Sequence, residues 1–348
     1  MGGGKIMLKQ NGFHVGATTV YTHLSRPLHP NTTPLYRRHY AHGTDFLNAG
    51  IDYGYTSHAF SCSGETAVNQ DGAIATLNTA SLQLGSTLSL IALQRFYAYR
   101  YTSLYAQSFC EGSGVQNESG FYAGATWQPM RRLRLQAYTD YAYFAWARYQ
   151  VSASSHAWDN LLSATYTVKQ WSLNARYRLH LRQRDRHADE SATSAIATTN
   201  LLAPLEDHWE HRARLSAARQ MGSGWSTATQ ADLAAVDGEA GWAAGQSLSF
   251  RAAKWQLHFS ATYFDTPSYS TRLYIYERSP LYTFTFPVLN GQGVRGSLLF
   301  RADVTRRLML LAKLSGTKYF DRHVIGTGYQ QVFHSVMTDL DLQARWHF

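Results

Sequence analysis

Residues 170–182 read Gln170-Trp171-Ser172-Leu173-Asn174-Ala175-Arg176-Tyr177-Arg178-Leu179-His180-Leu181-Arg182. The odd positions are apolar throughout: Trp171, Leu173, Ala175, Tyr177, Leu179 and Leu181. The even positions from Ser172 to Arg182 are all polar, and three of them are arginines. A β-strand sends successive side chains to opposite faces, so this stretch is a strand with one apolar and one strongly polar face. A helix would mix the two sets on every side.

The same period recurs along the chain. Trp255, Leu257, Phe259, Ala261 and Tyr263 alternate with Lys254, Gln256, His258, Ser260 and Thr262. Leu133, Leu135 and Ala137 alternate with Arg132, Arg134 and Gln136. At the end of the sequence Leu340, Leu342, Ala344, Trp346 and Phe348 alternate with Asp339, Asp341, Gln343, Arg345 and His347. These faces run for roughly 9–12 residues, the length of a tilted strand that crosses a bilayer. Strands of soluble sandwiches are shorter, about 5–6 residues. A dry sandwich core would also have to bury the Arg, Asp and His side chains of the polar faces.

Composition points the same way. The chain has 348 residues, of which 16% are charged and 14% aromatic, including 23 Tyr and 9 Trp. Soluble domains are about 25% charged. No run of about 18 apolar residues is present, which disfavours a helical membrane protein. The formal charge is +9, but the arginines alternate with apolar residues instead of clustering, so direct nucleic-acid binding by this segment is not expected. Cys62 and Cys110 have neither metal-knuckle nor redox spacing and read as incidental, with a disulfide between them open but unsupported. No secretory leader is legible at Met1–Leu8, so the chain reads as a processed or later part of a longer protein.

About 18 strands can be laid out, near 11–22, 45–55, 58–68, 72–80, 84–98, 119–128, 131–144, 159–168, 170–183, 208–219, 223–234, 242–252, 254–264, 271–278, 281–287, 294–304, 307–316 and 336–348. Their connections sort by side. One side has short turns; the other carries long loops near 23–44, 99–118, 145–158, 184–207 and 317–335. An even count would put both chain ends on the short-turn side. Tryptophans sort with them: Trp127, Trp171, Trp225, Trp255 and Trp346 fall at the short-turn ends, and Trp146, Trp158, Trp209 and Trp242 near the long-loop ends. Indole rings favour the headgroup level, so these nine are candidates for two membrane girdles. The expected fold is an all-β, transmembrane, antiparallel up-and-down β-barrel in one domain, set in the outer membrane of a Gram-negative bacterium. Its expected surroundings are outer-membrane lipid and lipopolysaccharide. The alternating C-terminal strand that closes on Phe348 resembles the signal by which outer-membrane proteins engage the barrel-assembly machinery during insertion.

A narrower resemblance is carried by Asn48-Ala49-Gly50-Ile51-Asp52-Tyr53, by Leu104-Tyr105-Ala106-Gln107-Ser108-Phe109 with Glu111-Gly112-Ser113 and Gln116-Asn117-Glu118, and by Asn290-Gly291-Gln292-Gly293-Val294-Arg295. In these the chain resembles barrel proteins of Bacteroidetes described as helix-hairpin-helix-containing and DNA-uptake-like. The resemblance implies that this is the C-terminal barrel part of such a protein, incomplete at the N-terminus, and brings in a DNA-uptake role. The helical hairpin behind that name is not legible in these residues.

Chemistry-bearing groups are sparse. Ser260, His258 and Asp265 are near one another in sequence, but no nucleophile elbow is present, and catalysis is not expected. His208 and His211 would face opposite ways on a strand, so the segment His208-Trp209-Glu210-His211 is not expected to hold a metal. No cofactor is implied. Arg182, Arg184, Asp185, Arg186, His187, Asp189 and Glu190 read as a solvated rim, or alternatively as a docking site for an anionic glycan. The strongest feature is a ladder of lumen-facing candidates: Arg132, Arg134, Arg176, Arg178, Arg182, Arg212 and Arg214, with Asp339 and Asp341 as acidic counterparts. Two roles stay open for it. Unpaired, the arginines favour anions in a wet passage; paired with Asp339, Asp341, Glu210 and Asp232, they close it. The leading function is transport or passage of a polar solute, with an anionic solute as the narrower option, and with porin-like character. The alternative is a non-enzymatic binding or scaffold barrel that contacts a partner or surface glycan through its long loops.

Overall fold

The computed structural model describes residues 1–186 and 203–348. Seventeen strands form one antiparallel sheet. They are β1 (Gly2–Gln10), β2 (Phe13–Leu28), β3 (Gly43–Thr56), β4 (Phe60–Asn69), β5 (Ile74–Leu84), β6 (Leu88–Tyr97), β7 (Glu118–Met130), β8 (Leu133–Phe144), β9 (Ser155–Val168), β10 (Trp171–Asp185), β11 (Leu205–Gly222), β12 (Trp225–Val236), β13 (Glu239–Arg251), β14 (Trp255–Thr266), β17 (Gly291–Asp303), β18 (Leu308–Tyr319) and β19 (Val336–Trp346). Two further short strands, β15 (Leu273–Tyr274) and β16 (Val288–Leu289), pair only with each other. Neighbours in sequence are neighbours in the sheet, from β1 on β2 to β18 on β19, and the sheet is not closed.

Period two governs the exposure. On β10 Trp171, Leu173, Ala175 and Tyr177 are exposed, while Asn174 and Arg178 are partly covered and His180 is buried. On β17 and β18 the exposed residues Val294, Leu298, Phe300, Leu310 and Leu314 alternate with buried Arg295, Ser297, Lys313, Ser315 and Thr317. This inverts a water-soluble protein: most of the apolar face is bare, and the covered positions are largely on the polar face. Apolar surface so extensive is not stable against water. Strands that cross a bilayer do so in walls of the outer-membrane kind, where every backbone group is satisfied by a neighbouring strand. The apolar face is therefore the lipid face, and the protein belongs in an outer membrane. No helix among the described residues is long and apolar enough to cross a membrane.

Three features depart from the sequence reading. First, β1 was not anticipated. Its three glycines, Gly2–Gly4, mask the alternation of Ile6 and Leu8 with Lys5, Met7 and Lys9. The β1–β2 turn is Asn11-Gly12, with φ of 49° and 84°, the paired positive values of a two-residue hairpin turn. Second, 271–278 and 281–287 are not wall strands. The segment 267–290 leaves the sheet and lies against its polar face, held by β15 and β16. Pro280 and Pro287 cannot donate to an interior ladder, which makes both stretches poor wall strands. Third, one strand gained and two lost make 17, so the chain starts at the long-loop end and finishes at the short-turn end; the even-count expectation fails.

Gly12 is open to a direct test. A Cβ there would stand 2.5 Å from the Thr56 carbonyl oxygen at a positive φ. Gly12→Ala is expected to cost about 1–3 kcal/mol and to raise hydrogen exchange in Gly2–Gln10 while leaving β12–β14 unchanged. Equal protection in β1 would count against this turn geometry.

Contacts divide the chain into two compact units. Unit 1 is Met1–Pro129, Leu135–Leu162 and Leu179–Trp209; unit 2 is Met130–Arg134, Ser163–Arg178 and Glu210–Phe348. Each has one long segment folded onto its own polar face.

Candidate functional site

In unit 1 the inserted segment is 98–117, between β6 and β7. The sequence reading places a long loop near 99–118 and does not give its path. It turns back over the polar face, because buried charges there need partners. Arg95 on β6 is fully buried and bonds Glu118 through Nε. Its Nη1 and Nη2 reach the two Asp140 oxygens on β8 at 2.7 and 3.2 Å. Gly120 lies opposite Arg95 in the ladder, and a Cβ there would stand 2.5 Å from the guanidinium carbon. Glycine at this position lets the arginine lie flat across the strand. Glu118 also accepts the Glu111 and Gly112 amides at 2.8 and 2.7 Å, which ties the segment to the wall.

The segment then places Glu111 against β10. Glu111 Oε1 lies 2.9 Å from His180 Nε2 and 3.6 Å from Arg182 Nε. Burial alone would raise the Glu111 carboxyl; the His180 hydrogen bond and charge, with Arg182, outweigh it and hold the group below the usual range. Two neighbouring loops lock onto this segment. Gln116 donates to the His39 and Tyr99 carbonyls. Asn117 exchanges two bonds with the Trp146 backbone. The Trp146 ring donates to the Leu35 carbonyl at 3.0 Å and stacks on Tyr99. Trp146 is thus placed inside the loop cluster. The other eight tryptophans, Trp127, Trp158, Trp171, Trp209, Trp225, Trp242, Trp255 and Trp346, are 38–54% exposed and stand toward the strand ends.

In unit 2 the inserted segment is 267–290. Leu273, Ile275 and Leu289 pack on Ala234, Ala243 and Phe264, where two small residues leave the space. Glu277 is its anchor. The carboxylate binds Arg295 at 2.6 and 3.0 Å and Lys313 at 3.2 Å, and all three side chains are buried. Arg295 also donates to Thr317 Oγ1 at 2.8 Å. Leu281 exchanges two bonds with the Gln343 side chain on β19.

Unit 2 also holds most of the arginine ladder. The Gln220 amide bonds the Gln170 carbonyl at 2.9 Å, so the β10–β11 register places residues whose numbers sum to 390 opposite each other. The Gln183–Asp207 side-chain bond fits the same register. Arg176 therefore faces Arg214, and Arg178 faces Arg212, in a two-by-two guanidinium array on adjacent strands. The Thr167 amide on the Arg132 carbonyl and the Asn174–Thr165 bond put Arg134 on the row next to Arg176. Arg214 is bound to Asp232 and Arg212 to Glu210. These two also donate to the Tyr274 and Arg272 carbonyls at 3.0 Å each, and so hold the inserted segment. Among the described residues Arg132, Arg134 and Arg176 make no ion pair and are exposed. Asp341 lies opposite Lys313 and Asp339 opposite Ser315 in the β18–β19 ladder. Both aspartates are exposed, and neither is bound to a ladder arginine among the described residues.

The remaining candidates do not assemble. His258 is bonded to Ser249 and Ser260 to Ser297, while Asp265 lies on the opposite face of the same strand. His208 and His211 likewise point to opposite faces, and no group of metal-ligating side chains converges among the described residues. Both cysteines are free. Of the rim run, Arg182, Arg184, Asp185 and Arg186 are described, with Asp185 bound to Ser152 and Arg186 to Glu206; His187, Asp189 and Glu190 fall outside the described residues, as does most of the 184–207 loop. The buried clusters around Arg95 and Glu277 were missed from sequence. Their signal was faint: single charges such as Arg95, Asp140, Arg295 and Lys313 at polar-face strand positions.

No family profile matches the chain, and no curated protein matches it. Several solved structures are similar. Three of them are the outer-membrane expressed OmpT of Vibrio cholerae (TM-score 0.41, 10% identity, covering 99% of this chain and 100% of that one), the siderophore receptor PirA from Acinetobacter baumannii (0.46, 10%, 97% and 58%), and OprB of Pseudomonas putida at high pH (0.35, 10%, 90% and 89%). None of the three supports the narrower Bacteroidetes, DNA-uptake-like resemblance. At 10% identity and TM-scores below 0.5, nothing about solute, partner or chemistry carries over to this chain.

Proposed function

We propose that this protein passes a polar, negatively charged solute across the outer membrane, along its arginine-bearing polar face. The observation that supports the reading is the two-by-two array, Arg176 facing Arg214 and Arg178 facing Arg212. Like charges directly opposite in a ladder destabilise a sheet. Glu210 and Asp232 balance two of the four, Arg176 stays exposed, and Arg134 adds further positive charge beside water. Such a surface concentrates anions and repels cations. The inserted segment 267–290, held by Arg212 and Arg214, lies beside these side chains, so that a solute meets them closely. The exposed tryptophans serve as the two lipid girdles.

The test is single-channel recording of the refolded chain in a planar bilayer. Anion-selective steps are expected. Arg176→Gln together with Arg134→Gln is expected to lower the anion-to-cation permeability ratio several-fold without loss of the folded, heat-modifiable band. Cation-selective or unchanged currents would reject the reading. A folded band with silent bilayers would favour the binding alternative.

A further inference from the structure

The loops of unit 1 border an open cavity of about 930 Å³ at the long-loop end. That is near the top of the range of about 300–1,000 Å³ usual for small-molecule sites, and it suits a chain of rings more than one ring. Four tyrosines line it: Tyr36, Tyr40 and Tyr149, which are partly or well exposed, and Tyr101, which is buried. They come from three separate loops, locked together by the Gln116, Asn117 and Trp146 bonds described above. Aromatic faces so held are rigid platforms at low entropic cost.

The charges on the cavity are unequal. Arg148, Arg182 and Glu111 line it, and Glu111 is already engaged by His180 and Arg182. Arg148 has no carboxylate partner among the described residues. Its guanidinium lies 3.5 Å from the Phe144 ring centroid, its Nη2 donates to Ser155 Oγ at 3.2 Å, and its buried Nε has no hydrogen-bond partner. Burial pushes this guanidinium down to about 10. A partly buried cation with no ion-pair partner among the described residues, at the wall of a roomy cavity, attracts an anion, against the pull of Glu111 and Glu118. One such cation suits a single carboxylate better than a polyphosphate, which would call for several. The surrounding tyrosines suit the apolar faces of sugar rings.

We propose that this cavity captures an acidic saccharide, a uronate-type sugar chain whose carboxylate meets Arg148 and whose rings lie on the tyrosines. The proposal goes beyond the passage reading and does not depend on conduction.

The experiment is calorimetric titration of the full chain, folded in detergent micelles, with oligogalacturonate, with a neutral galacto-oligosaccharide of the same length, and with inorganic phosphate. At least tenfold tighter binding of the uronate is expected, with no competition from phosphate at equal concentration. Arg148→Gln is expected to erase the preference for the acid. Tyr149→Ala, at a side chain 70% exposed and thus safe for folding, is expected to weaken both sugars several-fold. Equal binding of acid and neutral sugars, no binding, displacement by phosphate, or wild-type binding by a folded Arg148→Gln or Tyr149→Ala chain would each overturn it. A chain that binds but stays silent in bilayers keeps this proposal and removes the passage reading; one that conducts but does not bind does the reverse.

Discussion

Arg95→Met is expected to be the most damaging single substitution in the protein. It leaves Glu118, fully buried, and Asp140 without their counter-charge. Removing one partner of a buried ion pair costs about 3–5 kcal/mol, because the other charge stays desolvated. The loss is expected as a lower urea midpoint of the micelle-folded chain with an unchanged slope. Glu118 also anchors the Glu111 and Gly112 amides, so exchange at those two sites is expected to rise. A companion substitution separates charge from shape: adding Asp140→Asn to Arg95→Met should recover part of the loss by removing one orphan charge, but not all of it, since Glu118 still lacks a cation. A midpoint within about 0.5 kcal/mol of wild type would mean the cluster is solvated in a way its burial does not suggest.

Glu277→Ala is expected to have an effect of similar size by a different route. Arg295 and Lys313 would remain buried side by side, each without an acid and each repelling the other. The cost is again about 3–5 kcal/mol, but the wall need not bear it. The segment 267–290 is held by Glu277, by the Arg212 and Arg214 bonds to its carbonyls, by Gln343 and by the packing of Leu273, Ile275 and Leu289. With its charged anchor gone, the segment is expected to lift while the strands persist, a local opening of the low-stability kind. Limited trypsin digestion should then cut after Arg272 or Arg278 in folded protein, and any conductance should rise. Glu277→Gln keeps hydrogen-bond acceptor capacity and should fall between the two. Intact 267–290 in a folded Glu277→Ala chain would show that the apolar contacts alone suffice.

Both predictions concern residues whose roles were not legible in the sequence, while the strands that carry them were. Alternation on β8, β10, β14 and β19 marked lipid and polar faces residue by residue, since neither depends on any partner. The Asn11-Gly12 turn was written in the sequence as openly as any other, yet β1 stayed hidden because three glycines carry no face. Pro280 and Pro287 likewise argue against wall strands over 271–278 and 281–287. Trp146 sits in a sequence pattern like that of the girdle tryptophans, but its ring is turned to a carbonyl and a tyrosine of other loops.

The division has a physical cause. Period two is a property of the backbone itself, so the sequence alone determined the strand class, the two faces, the side of the short turns and the placement of the chain in a bilayer. Charge partners are another matter. Asp140 is 45 residues from Arg95, and Glu277 meets Arg295 and Lys313 only because a segment leaves the sheet. Arg176 and Arg214 become opposite only once the register between two strands is set. Tertiary structure alone decided which loops turn inward, which arginines are neutralised and which, like Arg148, are left facing a cavity, because those outcomes follow from long-range register and burial.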